Sequence, residues 1–306
     1  MSLPHFRSAD HGTDPVRAPK ITLQHLQEKK DRREPITALT AYDYATARLV
    51  DEAGMDLILV GDSLAMVVLG YESTLPVTVD EMLYHTRAVR RAVRRALLVT
   101  DMPYGSYHTS VNEGVANAIR FMKEAGAEAV KIEGGASRAE LVRRLVEAEI
   151  PVVGHLGLTP QSVHKMGGYK VQGKTPEAIN RLRDDATALT AAGASLLVLE
   201  GMPRELAAHI TAEVPIPTIG IGAGPDCDGQ ILVFHDLVNL SFAHPPKFVR
   251  QYGDAAALFR EALAGYVREV GERSFPTKEH SYHLSAEARA ALEATTKPRQ
   301  AELRRS

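Results

Sequence analysis

Four carboxylates stand where apolar runs stop. Leu57-Ile58-Leu59-Val60-Gly61 leads into Asp62 and Ser63, and Leu97-Leu98-Val99-Thr100 leads into Asp101. Ala129-Val130-Lys131-Ile132 ends at Glu133, and Leu196-Leu197-Val198-Leu199 ends at Glu200. A charge at the rim of an apolar core costs several kcal/mol or more unless a partner or a metal meets it. If these runs are parallel neighbours, all four acids arrive at one end of one sheet. Asp62, Asp101 and Glu133 are then metal candidates. An oxygen-only set suits a hard cation such as Mg²⁺, which takes one or two carboxylates and fills its shell with water and substrate oxygens. Each acid alone reads as a helix N-cap or a surface carboxylate. Three together on one rim favour the metal.

Lys131 adds a cation to the same place. Side chains alternate along a strand, so Lys131 and Glu133 share one face while Val130 and Ile132 share the other. The branched pair suits packing against helices, which turns Lys131 and Glu133 inward. An interior lysine needs an anionic partner. That partner is a neighbouring acid, an anionic substrate, or both. Glu200 closes a separate strand. If it is not a ligand it is free to act as a base, and its apolar flanks favour a raised proton affinity. His155, after Pro151-Val152-Val153-Gly154, is a rim histidine, as readily structural as catalytic.

The elements that must carry these groups follow from periodicity and punctuation. Near-continuous apolar strands are expected at 36–41, 57–60, 97–101, 129–133, 152–155, 196–200, 218–221 and 231–234, alternating with helices. Thr78-Val79-Asp80-Glu81 and Ser137-Arg138-Ala139-Glu140 both match a capping box. Thr175-Pro176 reads as an N-cap with proline at the first helical position. Ile21 to Lys30 is expected as a short helix, a plug under a barrel. Such alternation means a parallel sheet covered on both sides. Eight units predict a closed (β/α)8 TIM barrel with its active site at the C-terminal strand ends. The alternative is an open, doubly wound sheet. The expected organisation is a flexible N-terminal arm over 1–20, one catalytic domain over 21–283, and a C-terminal tail or exposed helix over 284–306.

Two glycine-rich loops test this picture. Gly168 to Thr175 fits the expression G-x4-G-K-[ST] of a nucleotide-binding P-loop. A P-loop follows its strand directly, whereas here a long polar loop intervenes after His155, and Tyr169 and Val171 are bulky. Nucleotide binding is therefore not expected. Gly220-Ile221-Gly222-Ala223-Gly224 reads as close backbone packing at the barrel mouth or as room for a ligand.

Composition bounds the rest. The chain has 306 residues, 44% hydrophobic and 24% charged, which is enough for a large core. A net charge of −2 gives no electrostatic footprint for nucleic acid. Cys227 is the single cysteine, so no internal disulfide or thiolate zinc cluster forms. No apolar run reaches the ~18 residues of a membrane span, and residues 1–20 lack a signal core. A cytoplasmic protein without membrane partners is expected.

Several stretches together resemble the ketopantoate hydroxymethyltransferase family. They are Thr37 to Tyr44, Leu59-Val60-Gly61-Asp62-Ser63, Thr74 to Thr78, Val130 to Gly135, Gly154 to Val163, Gly167 to Gly173, Ile219 to Gly224 and Asp228-Gly229-Gln230, with Phe275-Pro276 and His280-Ser281 near the end. The similarity covers about residues 20–283. It implies a barrel of the phosphoenolpyruvate mutase/isocitrate lyase type. It also implies transfer of a hydroxymethyl group from 5,10-methylenetetrahydrofolate to 3-methyl-2-oxobutanoate, giving 2-dehydropantoate for pantothenate and coenzyme A. By matching motifs, Asp62, Asp101 and Glu133 would hold Mg²⁺, directly or through water. Asp62, Ser63, Asp101 and Lys131 would contact the keto acid, and Glu200 would accept its proton. Mg²⁺ would stabilise the resulting enolate, which attacks the folate-borne carbon. A large homo-oligomer, a decamer, is also implied. Another Mg²⁺-dependent 2-oxo acid aldolase or carbon–carbon lyase on the same barrel is the competing reading.

Overall fold

In the computed structural model, which describes residues 19–296, eight strands alternate with helices. They are β1 (Ile36–Thr40), β2 (Leu57–Val60), β3 (Leu97–Asp101), β4 (Ala129–Glu133), β5 (Val152–Gly157), β6 (Leu196–Glu200), β7 (Thr218–Ile221) and β8 (Gly229–Leu232). Each pairs in parallel with the next, and β8 pairs with β1, so the sheet closes. The (β/α)8 barrel is the observed architecture, and the open sheet is not.

Alternation along each strand sorts the side chains into two cores. Ile36, Ala38, Leu57, Leu59, Leu97, Val99, Ala129, Val153, Leu196, Val198, Ile219 and Ile231 fill the barrel. Ile58, Val60, Leu98, Val130, Ile132, Leu197 and Leu199 face outward into a second apolar layer with the helices. Val130 and Ile132 thus lie where their branching predicts, and Lys131 and Glu133 point inward.

The plug is present. Helix Leu23–Asp31 begins at a reciprocal cap between Thr22 and His25. It lies at the strand starts, where Lys29 pairs with Asp56 at 2.6 Å and Lys30 with Asp228 at 2.8 Å. Those acids immediately precede β2 and β8. Leu26 is fully buried in the barrel's own apolar core. Leu26→Ala is expected to cost about 2–5 kcal/mol, read as a lower unfolding midpoint in denaturant. A midpoint equal to the parent's would show that the plug contributes nothing to the core.

Local signals fare unevenly. The capping box at Thr78 forms, opening helix Val79–Ala92. Thr175 caps helix Pro176–Ala191 by accepting from the Ala178 N–H. The box expected at Ser137 does not form. A 3-10 turn, Ala136–Arg138, takes its place, and helix Ala139–Glu147 starts without a side-chain cap. Asp185 supplies the acceptor instead, taking the Ala136 N–H at 2.7 Å from a neighbouring helix. β8 also begins and ends two residues earlier than the apolar run 231–234 suggests. Phe234 gives its N–H to Thr40 Oγ1 at 2.9 Å, and Phe234–Leu237 turns into a short helix that contains His235 and Asp236.

The chain divides into two compact units, Met1–Gly253 and Asp254–Ser306. The first holds the barrel. The second holds helix Ala255–Gly271, capped by Asp254, and helix Ala286–Thr296. Of the arm expected over 1–20, only Pro19 and Lys20 lie within the described residues, and the tail expected over 284–306 is described to Thr296. Among the described residues, no helix is long and apolar enough to cross a membrane.

Candidate active site

Above the apolar layers of the barrel comes a charged one. Strand register sets Asp101 beside Lys131 and Glu133 beside His155. Lys131 Nζ is 3.0 Å from Asp101 Oδ1 and 3.2 Å from His155 Nδ1. His155 Nδ1 is also 3.4 Å from Glu133 Oε1, and its Nε2 is 3.2 Å from Glu200 Oε2. Asp62, just past β2, gives its backbone N–H to Asp101 Oδ2 at 3.0 Å. The rim acids named from the sequence therefore meet at one mouth, with Lys131 and His155 between them.

Burial separates the acids into two kinds. The side chains of Asp101 and Glu133 are 4% and 3% exposed, whereas that of Glu200 is 16% exposed. Glu200 sits at the edge open to an incoming molecule. Its main chain is pinned by β5, since the Leu158 N–H donates to the Glu200 carbonyl at 2.8 Å. Gly157 permits that approach: its φ is +93°, and a Cβ there would meet the same carbonyl at 2.1 Å.

Burial and neighbouring charges pull these groups in opposite directions. Burial raises the Asp62 carboxyl well above its ordinary value, and repulsion from Asp101 and Glu133 adds to this. Burial likewise raises Asp101, although Lys131 opposes it. Burial opposes the charge on Lys131, but Asp101, Glu133 and Asp62 outweigh it and hold the ammonium above its ordinary value. His155 rises to about 9: burial and Lys131 work against its charge, and Glu133 and Glu200 prevail. Glu133 is lowered; burial works against its charge, but His155, Lys131 and the Gln161 N–H outweigh it. Asp101 Oδ1 and Glu133 Oε1 are buried with no aligned hydrogen bond. Among the described residues, no group of three His, Cys, Asp or Glu side chains is arranged to hold a metal by itself.

Ser63 is present at the mouth, with its hydroxyl 2.8 Å from the buried Tyr42 hydroxyl. Two further buried residues, Tyr107 and Gln161, join the site without having been singled out by type or spacing. Gln161 Nε2 donates to Asp62 Oδ2 at 2.8 Å and to the Met102 carbonyl at 3.0 Å. Its backbone N–H donates to Glu133 Oε2 at 3.0 Å. Tyr107 donates to Gln161 Oε1 at 2.6 Å and accepts the Glu133 N–H at 3.1 Å. Gln161 lies within the quoted stretch Gly154 to Val163, which was the one available signal.

The glycine loops take structural parts. After β5 come two short helical turns, Pro160–Ser162 and Val163–Met166, before the P-loop-like segment begins. That segment lies on β6's exit, with the Gln172 N–H on the Gly201 carbonyl at 2.8 Å. No strand feeds it, as a phosphate cradle requires. In the loop 220–224, a Cβ on Gly222 would meet the Phe248 ring at 2.6 Å, so protein already fills the space there. A cavity of about 1160 Å³ runs along β1 and β8, and none of the rim acids lines it.

Comparison with known proteins shows which family the chain resembles. Residues 20–278 match the family model for ketopantoate hydroxymethyltransferase. A relative from Koribacter versatilis (strain Ellin345), called 3-methyl-2-oxobutanoate hydroxymethyltransferase, is 66% identical over 274 residues, covering 90% of this chain and 93% of the relative. One of the same name from Geobacter sulfurreducens is 56% identical, covering 85% and 98%. Among solved structures, phosphonopyruvate hydrolase in complex with oxalate and Mg²⁺ superposes with a TM-score of 0.56 at 17% identity, covering 93% of this chain and 99% of that one. A 2,3-dimethylmalate lyase of the PEP mutase/isocitrate lyase superfamily gives 0.55 at 18% identity, covering 94% and 100%. At such low identity these structures speak to the fold alone, a (β/α)8 barrel.

Proposed function

The chain belongs to the ketopantoate hydroxymethyltransferase family, and from that premise we propose that it transfers a hydroxymethyl group from 5,10-methylenetetrahydrofolate to 3-methyl-2-oxobutanoate. The product is 2-dehydropantoate, on the way to pantothenate and coenzyme A. The observation that carries this reading is the placing of Lys131 among three buried carboxylates, with the more open Glu200 facing the same mouth. The proposed catalytic domain is residues 21–283, because the family match over 20–278 runs through both compact units.

The residues fit a bound Mg²⁺. Asp101 Oδ1 and Glu133 Oε1 are buried acceptors without hydrogen bonds, and Asp62 carries an unfavourable share of crowded negative charge. Asp62, Asp101 and Glu133 are the proposed ligands, with water and substrate oxygens making up the shell. When bound, Mg²⁺ supplies Lewis-acid stabilisation of the charge that develops on the keto acid. Lys131 balances the substrate carboxylate, and Ser63, Asp62 and Asp101 orient the keto acid. Glu200 takes the C3 proton, leaving an enolate whose C3 bonds to the methylene carbon delivered by the folate; the carbon–nitrogen bonds to that methylene break, water supplies the product's hydroxyl, and tetrahydrofolate leaves. His155 Nε2 lies 3.2 Å from Glu200 Oε2 and so orients that carboxylate at the mouth.

A homo-oligomer in the cytoplasm is part of the proposal, a decamer by the family resemblance. Helix Ala255–Gly271 supports association, since its Leu258, Leu263 and Val267 are exposed. The test of the reaction is a turnover assay with keto acid and methylenetetrahydrofolate, with and without Mg²⁺. Product is expected only when all three are present. Net cleavage or condensation of a 2-oxo acid without folate would replace the proposal with an aldolase or carbon–carbon lyase.

A further inference from the structure

We infer that Gln161, held by Tyr107, is the positioning residue that sets the relation between Asp62 and Glu133 and so tunes the cation site. The inference rests on the proposed metal reading and deepens it. Gln161 reaches both acids, though they come from different strands: Asp62 through its side-chain amide and Glu133 through its backbone N–H. One oxygen of each acid is thereby tied to the loop after β5, while Glu133 Oε1 is left without a hydrogen bond.

The polarity of this network is fixed. The Glu133 N–H donates to the Tyr107 hydroxyl, so that hydroxyl's proton goes to Gln161 Oε1. With Oε1 so engaged, both Nε2 hydrogens face acceptors, the Asp62 carboxylate and the Met102 carbonyl. A flipped amide would aim its oxygen at both of those acceptors. The amide therefore has one orientation, and every side-chain donor and acceptor of Gln161 is used. Tyr107 is itself clamped, with Arg138 stacked 5.0 Å above its ring. Buried networks satisfied in this way rigidify the groups they hold. Partners behind metal ligands typically contribute 10–100-fold to affinity when removed.

The experiment measures Mn²⁺ affinity of the metal-free full-length protein by calorimetry, with circular dichroism and thermal unfolding as the check on folding. Asp62→Ala is the control for the site. Gln161→Met keeps volume and removes the amide, and it is expected to weaken Mn²⁺ binding by about 10–100-fold. Tyr107→Phe keeps the ring over which Arg138 stacks, and should weaken binding in the same direction. Because Tyr107 acts in part through its hydrogen bond to Gln161, the double variant should lose less than the product of the two single losses. KM for the keto acid should rise in step with the Mn²⁺ dissociation constant. A folded Gln161→Met that binds Mn²⁺ within about twofold of the parent would overturn the inference. If Gln161→Met does not fold, parent-like binding by Tyr107→Phe overturns it equally. A parent that binds no Mn²⁺, or binds it undiminished in Asp62→Ala, removes the metal reading itself.

Discussion

Glu200→Gln is expected to slow exchange of the C3 proton of 3-methyl-2-oxobutanoate with solvent deuterium by roughly 10²–10⁴-fold, the usual cost of losing a positioned general base. The exchange is followed by NMR with Mg²⁺ present and no folate, so it isolates proton removal from carbon transfer. The variant keeps the size of the side chain and loses only its basicity. Keto-acid binding should stay near the parent's, because Glu200 lies apart from the buried acids, at the open edge of the mouth. The geometry also names the competitor. His155 Nε2 is 3.2 Å from Glu200 Oε2, close enough to take over if the base were elsewhere. Yet Glu133 and Glu200 raise His155 to about 9, which favours its protonated form over a free base at neutral pH. Parent-like exchange in Glu200→Gln would reverse this assignment and make His155 the proton acceptor.

What sequence shows of this site depends on whether the signal is local. Alternation along 129–133 places Lys131 and Glu133 inside and Val130 and Ile132 outside, and the barrel bears this out. The acids that close apolar runs mark the strand ends because a charge cannot be carried deeper into an aliphatic core. Gln161 and Tyr107 carry no such mark. Tyr107 comes from a loop and Gln161 from a single 3-10 turn, too short for a period to show, and their partners are distant in sequence: Gln161 to Asp62, Tyr107 to Glu133. Ser137 fails for the same reason in reverse. Its capping box is a sound local pattern, but Asp185, from another helix, already meets the nearby donor. β8 is obscured because Gly229 and Gln230 are not apolar, although Gly229 pairs with Ile36 on one side and Ile219 on the other.

Lys131→Met should do more damage than the loss of any single rim acid, because it strips the buried carboxylates of their lysine counter-charge. Lys131 Nζ lies 3.0 Å from Asp101 Oδ1, with both side chains 6% exposed or less. Breaking a buried pair by removing one member costs about 3–5 kcal/mol, since the remaining charge stays uncompensated. Unfolding of the metal-free variant in denaturant should show that loss. Keto-acid affinity should fall on the order of 10²–10³-fold, as expected when one member of a desolvated charge pair is truncated. The pH dependence has a definite sign. Asp62 and Asp101 already have raised carboxyl pKa values from burial, and without Lys131 they rise further. A carboxyl that binds its proton more tightly when folded contributes stability that grows as pH falls. The stability gap between parent and Lys131→Met should therefore narrow as pH is lowered from neutrality. Adding Asp101→Asn removes one orphaned charge, so the double variant should regain much of the stability while remaining inactive. A gap that widens toward low pH, or a double variant less stable than Lys131→Met alone, would mean that Lys131 does not serve as the counter-charge of this acid cluster.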